Sequence, residues 1–385
     1  MDNNRYYDFG YSRFGPFLFG FARWLKKELT ERGFQKVFFF SRDGFMLQQA
    51  FDVVNDTDIV SKYVYFSRKS LSQPLIHRAF GFEGSLEYLA KERYISFGKL
   101  LEYYGFDEQE RELLSAKGGF TLEDAVLYEN LKDNAVAAQI YAENKALINE
   151  RSAEQDALLE TYLEQVGMKG KFAIVDIGWH GTMQRNLETY YRSRGLDIDF
   201  EGFYIGILPN TPLATQTHGY IYDETQLKKR KQISCFLGIC ERLLQSTEGS
   251  SAGYYASGDK VVPRLLPYEY ANDEDAIKAI QAWQSGALDY VKNVKATEAD
   301  ALDSALIKPL FRFGKRPSLE DTKLFASFYN LDGTKAYYTA QKPLFRYRMK
   351  ELKHALADSP WKTGFMKSLL KIPFPYYGIY CLMKK

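Results

Sequence analysis

Cysteine is scarce in this chain. Cys235, Cys240 and Cys381 are the only three in 385 residues, too few and too scattered for a disulfide framework or a cysteine zinc site, and they suit a reducing compartment. An excess of charge is missing too. The net charge of +2 excludes a dedicated nucleic-acid binder, which carries a strong basic surplus. Apolar runs are broken by Gly, Pro or charge well short of the ~20 residues that span a bilayer, and the polar start "MDNNRYYDFG" carries no secretory signal. A cytoplasmic protein is expected. Of four histidines, His77, His218 and His354 are isolated from any metal-ligand spacing. No Ser-His-Asp order or reactive-cysteine setting emerges.

What the chain has in abundance is aromatic side chains, with 29 Tyr, 28 Phe and 4 Trp. They fill cores, or they face sugars and membranes. In "YSRFGPFLFGFARWLKKELTERG", residues Phe14, Phe17, Leu18, Phe21, Trp24 and Leu25 recur at three- and four-residue spacing. This predicts an amphipathic helix with Pro16 in its first turn and Gly33 near its end. "KVFFF" (36–40) reads as a strand buried on both faces. "FMLQQAFDVVN" then reads as a helix and "KYVYFS" (62–67) as a second strand, a β-α-β unit of a parallel sheet. "KFAIVD" (171–176), a helix from Thr182 and "FEGFYIGIL" (200–208) form another such unit. About 90 charged, helical residues lie between them (75–168). The expected fold is α/β, with a parallel sheet flanked by helices over residues 1–215, a helical insertion at 75–168, and a mostly helical region over 216–385.

Ligands of parallel sheets gather at the carboxyl ends of strands, and three strand ends carry suggestive residues. In "VDIGWHGT", Gly178 and Gly181 permit close backbone approach, and Gly181 and Thr182 open a helix whose free amides favour an anion. Asp176 would repel that anion, but it suits sugar hydroxyls or a metal. His180 lies in the same turn, as a local turn residue or a ligand-facing one. In "FFFSRDGFML", Arg42 offers a fork for phosphate oxygens, while Asp43 holds magnesium or accepts a proton. "YFSRKSL" adds Arg68 and Lys69. An isolated Gly-rich turn or Asp-Arg pair more often serves structure alone. The three together point to a phosphorylated sugar.

The strand ending in an acid, followed by a short turn and Gly-Thr at a helix start, resembles the ribose-phosphate loop of type I phosphoribosyltransferases. The ordered series "GYSRFGPFLFGFARWL", "FFFSRDGFML", "YVYFSRKSL", "IVDIGWHGTMQ" and "ERLLQSTEGSSAGY", over residues 10–255, is similar to the glycan-acceptor phosphoribosyltransferases of bacterial surface-polysaccharide (O-antigen or capsule) assembly. Members of that family move 5-phosphoribose from phosphoribosyl diphosphate (PRPP) to a glycan with Mg²⁺, and a haloacid dehalogenase phosphatase then removes the 5-phosphate. The resemblance implies a type I phosphoribosyltransferase-like sheet. It implies contacts to the diphosphate from Ser41, Arg42, Gly44, Arg68 and Lys69, and to phosphoribose from Asp176, Gly178, Gly181 and Thr182. It also implies magnesium at Asp43, with Asp43 or Glu241 as the base. Two departures stand out. Asp176 is followed by Ile177 where the family loop has a second acid, so Trp179, His180 or Gln184 would supply ribose contacts. The phosphatase is absent, because Ser41 stands two residues before Asp43 and Gly178 two after Asp176, leaving no nucleophile–acid pair. A separate phosphatase partner is therefore expected. The competing expectations are a phosphohydrolase of that superfamily and a non-catalytic sugar-phosphate-binding subunit of an assembly complex.

The segment 345–385 has nine Lys or Arg against two acids, interleaved with aromatics as in "WKTGFMKSLLKIPFPYYGIYCLMKK". It reads as a docked helix with a solvated basic face, or as a peripheral contact with the inner face of the cytoplasmic membrane and its lipid-linked glycans.

Overall fold

The computed structural model of the chain describes residues 3–89, 94–296, 303–332 and 334–383. Strands β1 (Lys36–Phe40) and β2 (Val60–Val64) precede a short antiparallel pair, β3 (Tyr94–Ser96) and β4 (Ala125–Leu127). Strands β5 (Phe172–Trp179), β6 (Phe200–Ile207) and β7 (Thr217–Tyr222) follow, then two hairpins, β8 (Ser251–Ser257) with β9 (Lys260–Leu265) and β10 (Tyr329–Asp332) with β11 (Thr334–Tyr337). The central sheet is β2-β1-β5-β6-β7, parallel throughout. Counting only its own members, this is the 2-1-3-4-5 order, whose direction of winding reverses between β1 and β5.

The apolar run of β1 follows from its neighbours. Val37 and Phe39 enter one core while Phe38 and Phe40 enter the other, and Ala173 and Val175 alternate with Phe172 and Ile174 in β5 in the same way. Both faces of the sheet are covered, as parallel sheets require. On the first face the core runs from Tyr6 to Tyr380, so residues on both sides of position 215 contribute to it, and β7 completes the sheet. The helix Gly15–Glu31 has Pro16 in its first turn and buries Phe17, Leu18, Phe21 and Leu25 there. Ahead of it, the helix Asn3–Phe9 and a π-helical turn (Gly10–Phe14) pack on the helix Glu274–Ala296. The approach is backbone to backbone, since a Cβ added to Gly10 would strike the Trp283 carbonyl.

The insertion carries a separate core from Ile76 to Ile148 and is bounded by the 32-residue helix Ala135–Val166. The segment 345–383 is partly docked. Trp361, Phe365, Tyr376 and Tyr380 are buried, whereas Phe345, Ile372, Phe374 and Leu382 are at least half exposed; Lys384 and Lys385 lie outside the described residues. Among the described residues no helix is long and apolar enough to cross a membrane.

Candidate functional site at the switch point

Where the sheet reverses, three acids from distant parts of the sequence converge. Asp43 follows β1 and Asp176 lies in the last half of β5. Glu241 comes from the helix Leu237–Leu244. Asp176 is 6% exposed, while Asp43 and Glu241 are half-buried. One oxygen each of Asp43 and Asp176 is sealed from solvent without a hydrogen-bond partner among the described residues.

Electrostatics follow from that crowding. Burial, then the nearby Asp43, pushes the Asp176 carboxyl up to about 8, against the amides of Ile177 and Gly178. The same two causes push Glu241 up to about 7, opposed by the Trp179 indole, Arg68 and Arg242. Burial also raises Asp43, against Arg42, Gln245, Arg242 and Arg68. The charge of Asp43 disfavours ionisation of the other two, so the titrations of the three carboxyls are linked.

The backbone around the cluster is held in an uncommon shape. Arg42 (φ 66°) and Trp179 (φ 70°) both occupy the left-handed region, which costs non-glycine residues on the order of 1–3 kcal/mol when the surroundings enforce it. The surroundings do enforce it. The Arg42 amide donates to the Tyr63 hydroxyl (2.7 Å), and the guanidinium donates to Ser250 Oγ (2.9 Å), Gln245 Oε1 (3.2 Å) and Glu269 Oε1 (2.9 Å). Trp179 Nε1 donates to Glu241 Oε1 at 2.8 Å, its carbonyl accepts from the Leu208 amide, and its ring stacks on Tyr222.

The structure corrects several sequence expectations. The strand carrying Asp176 does not end there. It continues to Trp179, pairing Gly178 with Gly206 and Trp179 with Ile207. Gly178 (φ 106°) is thus a strand residue in close packing, because an added Cβ would sit 2.4 Å from the Gly206 carbonyl oxygen. Gly181 does open the helix Thr182–Ser193 with a positive φ, and Leu213 packs against it; Thr182 is half-buried. Gln184 is not brought to the site. It is 1% exposed, its oxygen accepts from the Tyr204 hydroxyl and its nitrogen donates to Thr215 Oγ1. His180 is exposed, with Nδ1 3.3 Å from the Leu208 carbonyl oxygen.

The basic pair splits. Arg68 is exposed and lowers the proton affinity of Asp43 and Glu241. Lys69 instead lines a separate cleft of about 620 Å³ beside Glu102, at 3.9 Å. Ser41 is buried with its hydroxyl donating to the Phe66 carbonyl, and Gly44 begins the helix Gly44–Val54 with no room for a Cβ against Phe39.

Sequence reasoning missed the frame of the site. Glu269 bridges Arg42 (2.9 Å) and Arg242 (2.6 Å), and Arg242 is 2% exposed. Burial disfavours the Glu269 carboxylate, yet Arg242 and Arg42 outweigh it and hold the group below its ordinary range. Glu248 accepts from the hydroxyls of Tyr63 (2.8 Å) and Tyr65 (3.3 Å). The one local signal was an arginine among Cys240, Leu243 and Leu244, on a helix otherwise turned to the core.

Among the described residues no group of three His, Cys, Asp or Glu is disposed to cage a metal. A magnesium ion accompanying a diphosphate needs only one or two carboxylates, its remaining positions being filled by phosphate and water. The unpartnered oxygens of Asp43 and Asp176 fit that role. No family model and no curated protein matches the chain.

Proposed function

We infer that the chain transfers 5-phosphoribose from PRPP to a hydroxyl of a glycan acceptor, releasing pyrophosphate. The observation that carries this reading is the convergence of Asp43, Asp176 and Glu241 at the switch point, with two buried carboxylate oxygens unpartnered. Such a pocket repels a bare anion and favours positive charge, which is what develops on a ribose ring as pyrophosphate departs. Asp176 accepts hydrogen bonds from the ribose hydroxyls, and the first amides of the helix Thr182–Ser193 receive the 5-phosphate. Magnesium, when held by Asp43 and Asp176, would supply neutralising charge to the leaving diphosphate. Arg68 would meet the same group, while Arg42, already bound to Glu269, favours the ionised form of Asp43.

In the transfer, the acceptor oxygen bonds to C1 from the face opposite the leaving group. The C1–O bond to pyrophosphate breaks and its electron pair leaves with pyrophosphate. The acceptor proton passes to Glu241, or to Asp43 where Asp43 is not holding the metal. The raised proton affinity of these acids suits a base working near neutral pH. A 5-phosphoribosylated glycan results, and its dephosphorylation falls to a separate phosphatase. The basic, aromatic segment 345–383 would hold the protein at the membrane surface where lipid-linked acceptors reside.

Calorimetry with PRPP and Mg²⁺, followed by pyrophosphate release on oligosaccharide acceptors, tests the reading. Binding and release are expected, and Asp176→Ala should lower turnover by ~10²-fold or more. Full turnover by that variant would sink the assignment. Phosphate release from ribose 5-phosphate would favour the hydrolase, and PRPP binding with no transfer to any acceptor would favour a non-catalytic subunit.

A further inference from the structure

At the far edge of the sheet lies a cleft of opposite character. About 890 Å³ in volume, it opens between β7, the helix Leu227–Ile233 and the helix Asp303–Lys315. Its walls carry Lys229, Lys308, Arg312, Lys315 and Arg316 and no acid, over an apolar floor that includes Trp24, Tyr220 and Phe311. Among the described residues none of these five cations forms an ion pair with a carboxylate. Lys315 donates to Gln232 Oε1 (3.2 Å) and lies over the rings of Phe311 and Tyr377. Lys308 and Arg312 stand four residues apart on the helix, an arrangement that weakens a helix on its own, and Arg316 follows just past its end with its amide bonded to the Arg312 carbonyl. An anion lodged between them removes that repulsion.

The rim of the cleft is aromatic. Tyr377, from the helix Tyr376–Met383, touches Lys315 and donates to the Lys231 carbonyl. The same stretch of chain exposes Ile372 (50%), Phe374 (50%) and Leu382 (69%). Cations around an apolar floor, joined through Tyr377 to a stretch of chain with bare aliphatic and aromatic side chains, match the surface of a protein that lies in a bilayer interface.

We propose that this face seats on an anionic bilayer, with a lipid phosphate in the cationic cleft and Ile372, Phe374 and Leu382 in the headgroup–acyl boundary. The site deepens the membrane placement inferred above and is independent of the phosphoribosyl chemistry, so PRPP calorimetry on the same preparations separates the two failures. The test is flotation of the full chain with phosphatidylcholine vesicles, with and without phosphatidylglycerol. Binding is expected only with the anionic lipid and should fall as salt rises. Each cleft cation replaced by Gln should weaken it about fivefold, and the triple variant Lys308→Gln, Arg312→Gln, Arg316→Gln about a hundredfold. Phe374→Ser should weaken it as well, with the far-ultraviolet spectrum unchanged, and Lys229→Gln repeats the charge test from a different helix. Wild-type affinity in the triple variant, or equal binding to neutral vesicles, overturns the proposal. So does inorganic pyrophosphate binding in calorimetry that the triple variant abolishes while the protein ignores vesicles, which would assign the cleft to a soluble phosphate compound.

Discussion

The switch-point cluster and the edge cleft use charge in opposite ways within one sheet. At the switch point three acids are packed together and partly sealed, so burial raises the proton affinity of each, and the charge of Asp43 adds to it at Asp176 and Glu241. At the edge five cations stand around an open cleft with no acid among them. The first arrangement stores unfavourable interactions inside a rigid frame, built from Glu269, Arg42 and Arg242. The second leaves them at the surface, where solvent moderates them. Strain that is enforced by the interior suits chemistry, and unbalanced charge in a wet cleft suits recognition of an anion.

Disrupting the frame should cost the most stability. Glu269→Ala leaves Arg42 and the nearly inaccessible Arg242 without their carboxylate. Removing one partner of such a pair costs about 3–5 kcal/mol, to be read from urea unfolding. A loss under 1 kcal/mol, on the scale of an exposed ion pair, would erase the distinction between the two regions.

The acid cluster should also make stability depend on pH. Asp176 and Glu241 have folded-state values near 8 and 7, above the ordinary carboxylate range of about 4. The folded protein therefore holds protons that the unfolded chain has already released, and the cluster's contribution declines as pH rises from about 4 to about 8. Asp176→Asn, which cannot ionise, should flatten that decline in thermal midpoints measured across the interval. Mg²⁺ should lessen the decline in the wild type. Parallel wild-type and variant curves would mean that Asp176 ionises as it would in water.

The smallest effect is expected in the cleft. Lys308, in the middle of its helix, has a like charge four residues on, Arg312. Lys308→Gln should stabilise the fold by about 0.2–0.5 kcal/mol, seen as a slightly higher unfolding midpoint. Destabilisation would show that an acid already balances the pair.

The sequence made the sheet legible because β1 and β5 are apolar on both faces, and a short continuous run such as "KVFFF" suits a strand with a core on either side of it. The helix starting at Thr182 was legible from its glycine. Asp43, Asp176 and Glu241 were legible as candidate site acids, but their meeting depends on a crossover of more than a hundred residues. Less could be read where small residues play two parts. Gly178 looks like a turn, yet it continues the strand because only a hydrogen side chain clears Gly206. Arg68 and Lys69 diverge because successive helical residues do not share a face. Glu269 has no local signature, since its role is set by arginines 27 and 227 residues away.

The backbone contact between Gly10 and Trp283 has a bearing on how the protein is made. Tyr6, Phe9 and Phe14 emerge from the ribosome long before the segment that covers them, and at 5–20 residues per second that wait is roughly 15–50 s. Throughout it, a greasy amino-terminal surface stands uncovered in a crowded cell. Nascent chains of this kind are natural clients for a holding chaperone, and slowing translation ahead of residue 274 should lengthen that exposure and increase aggregation.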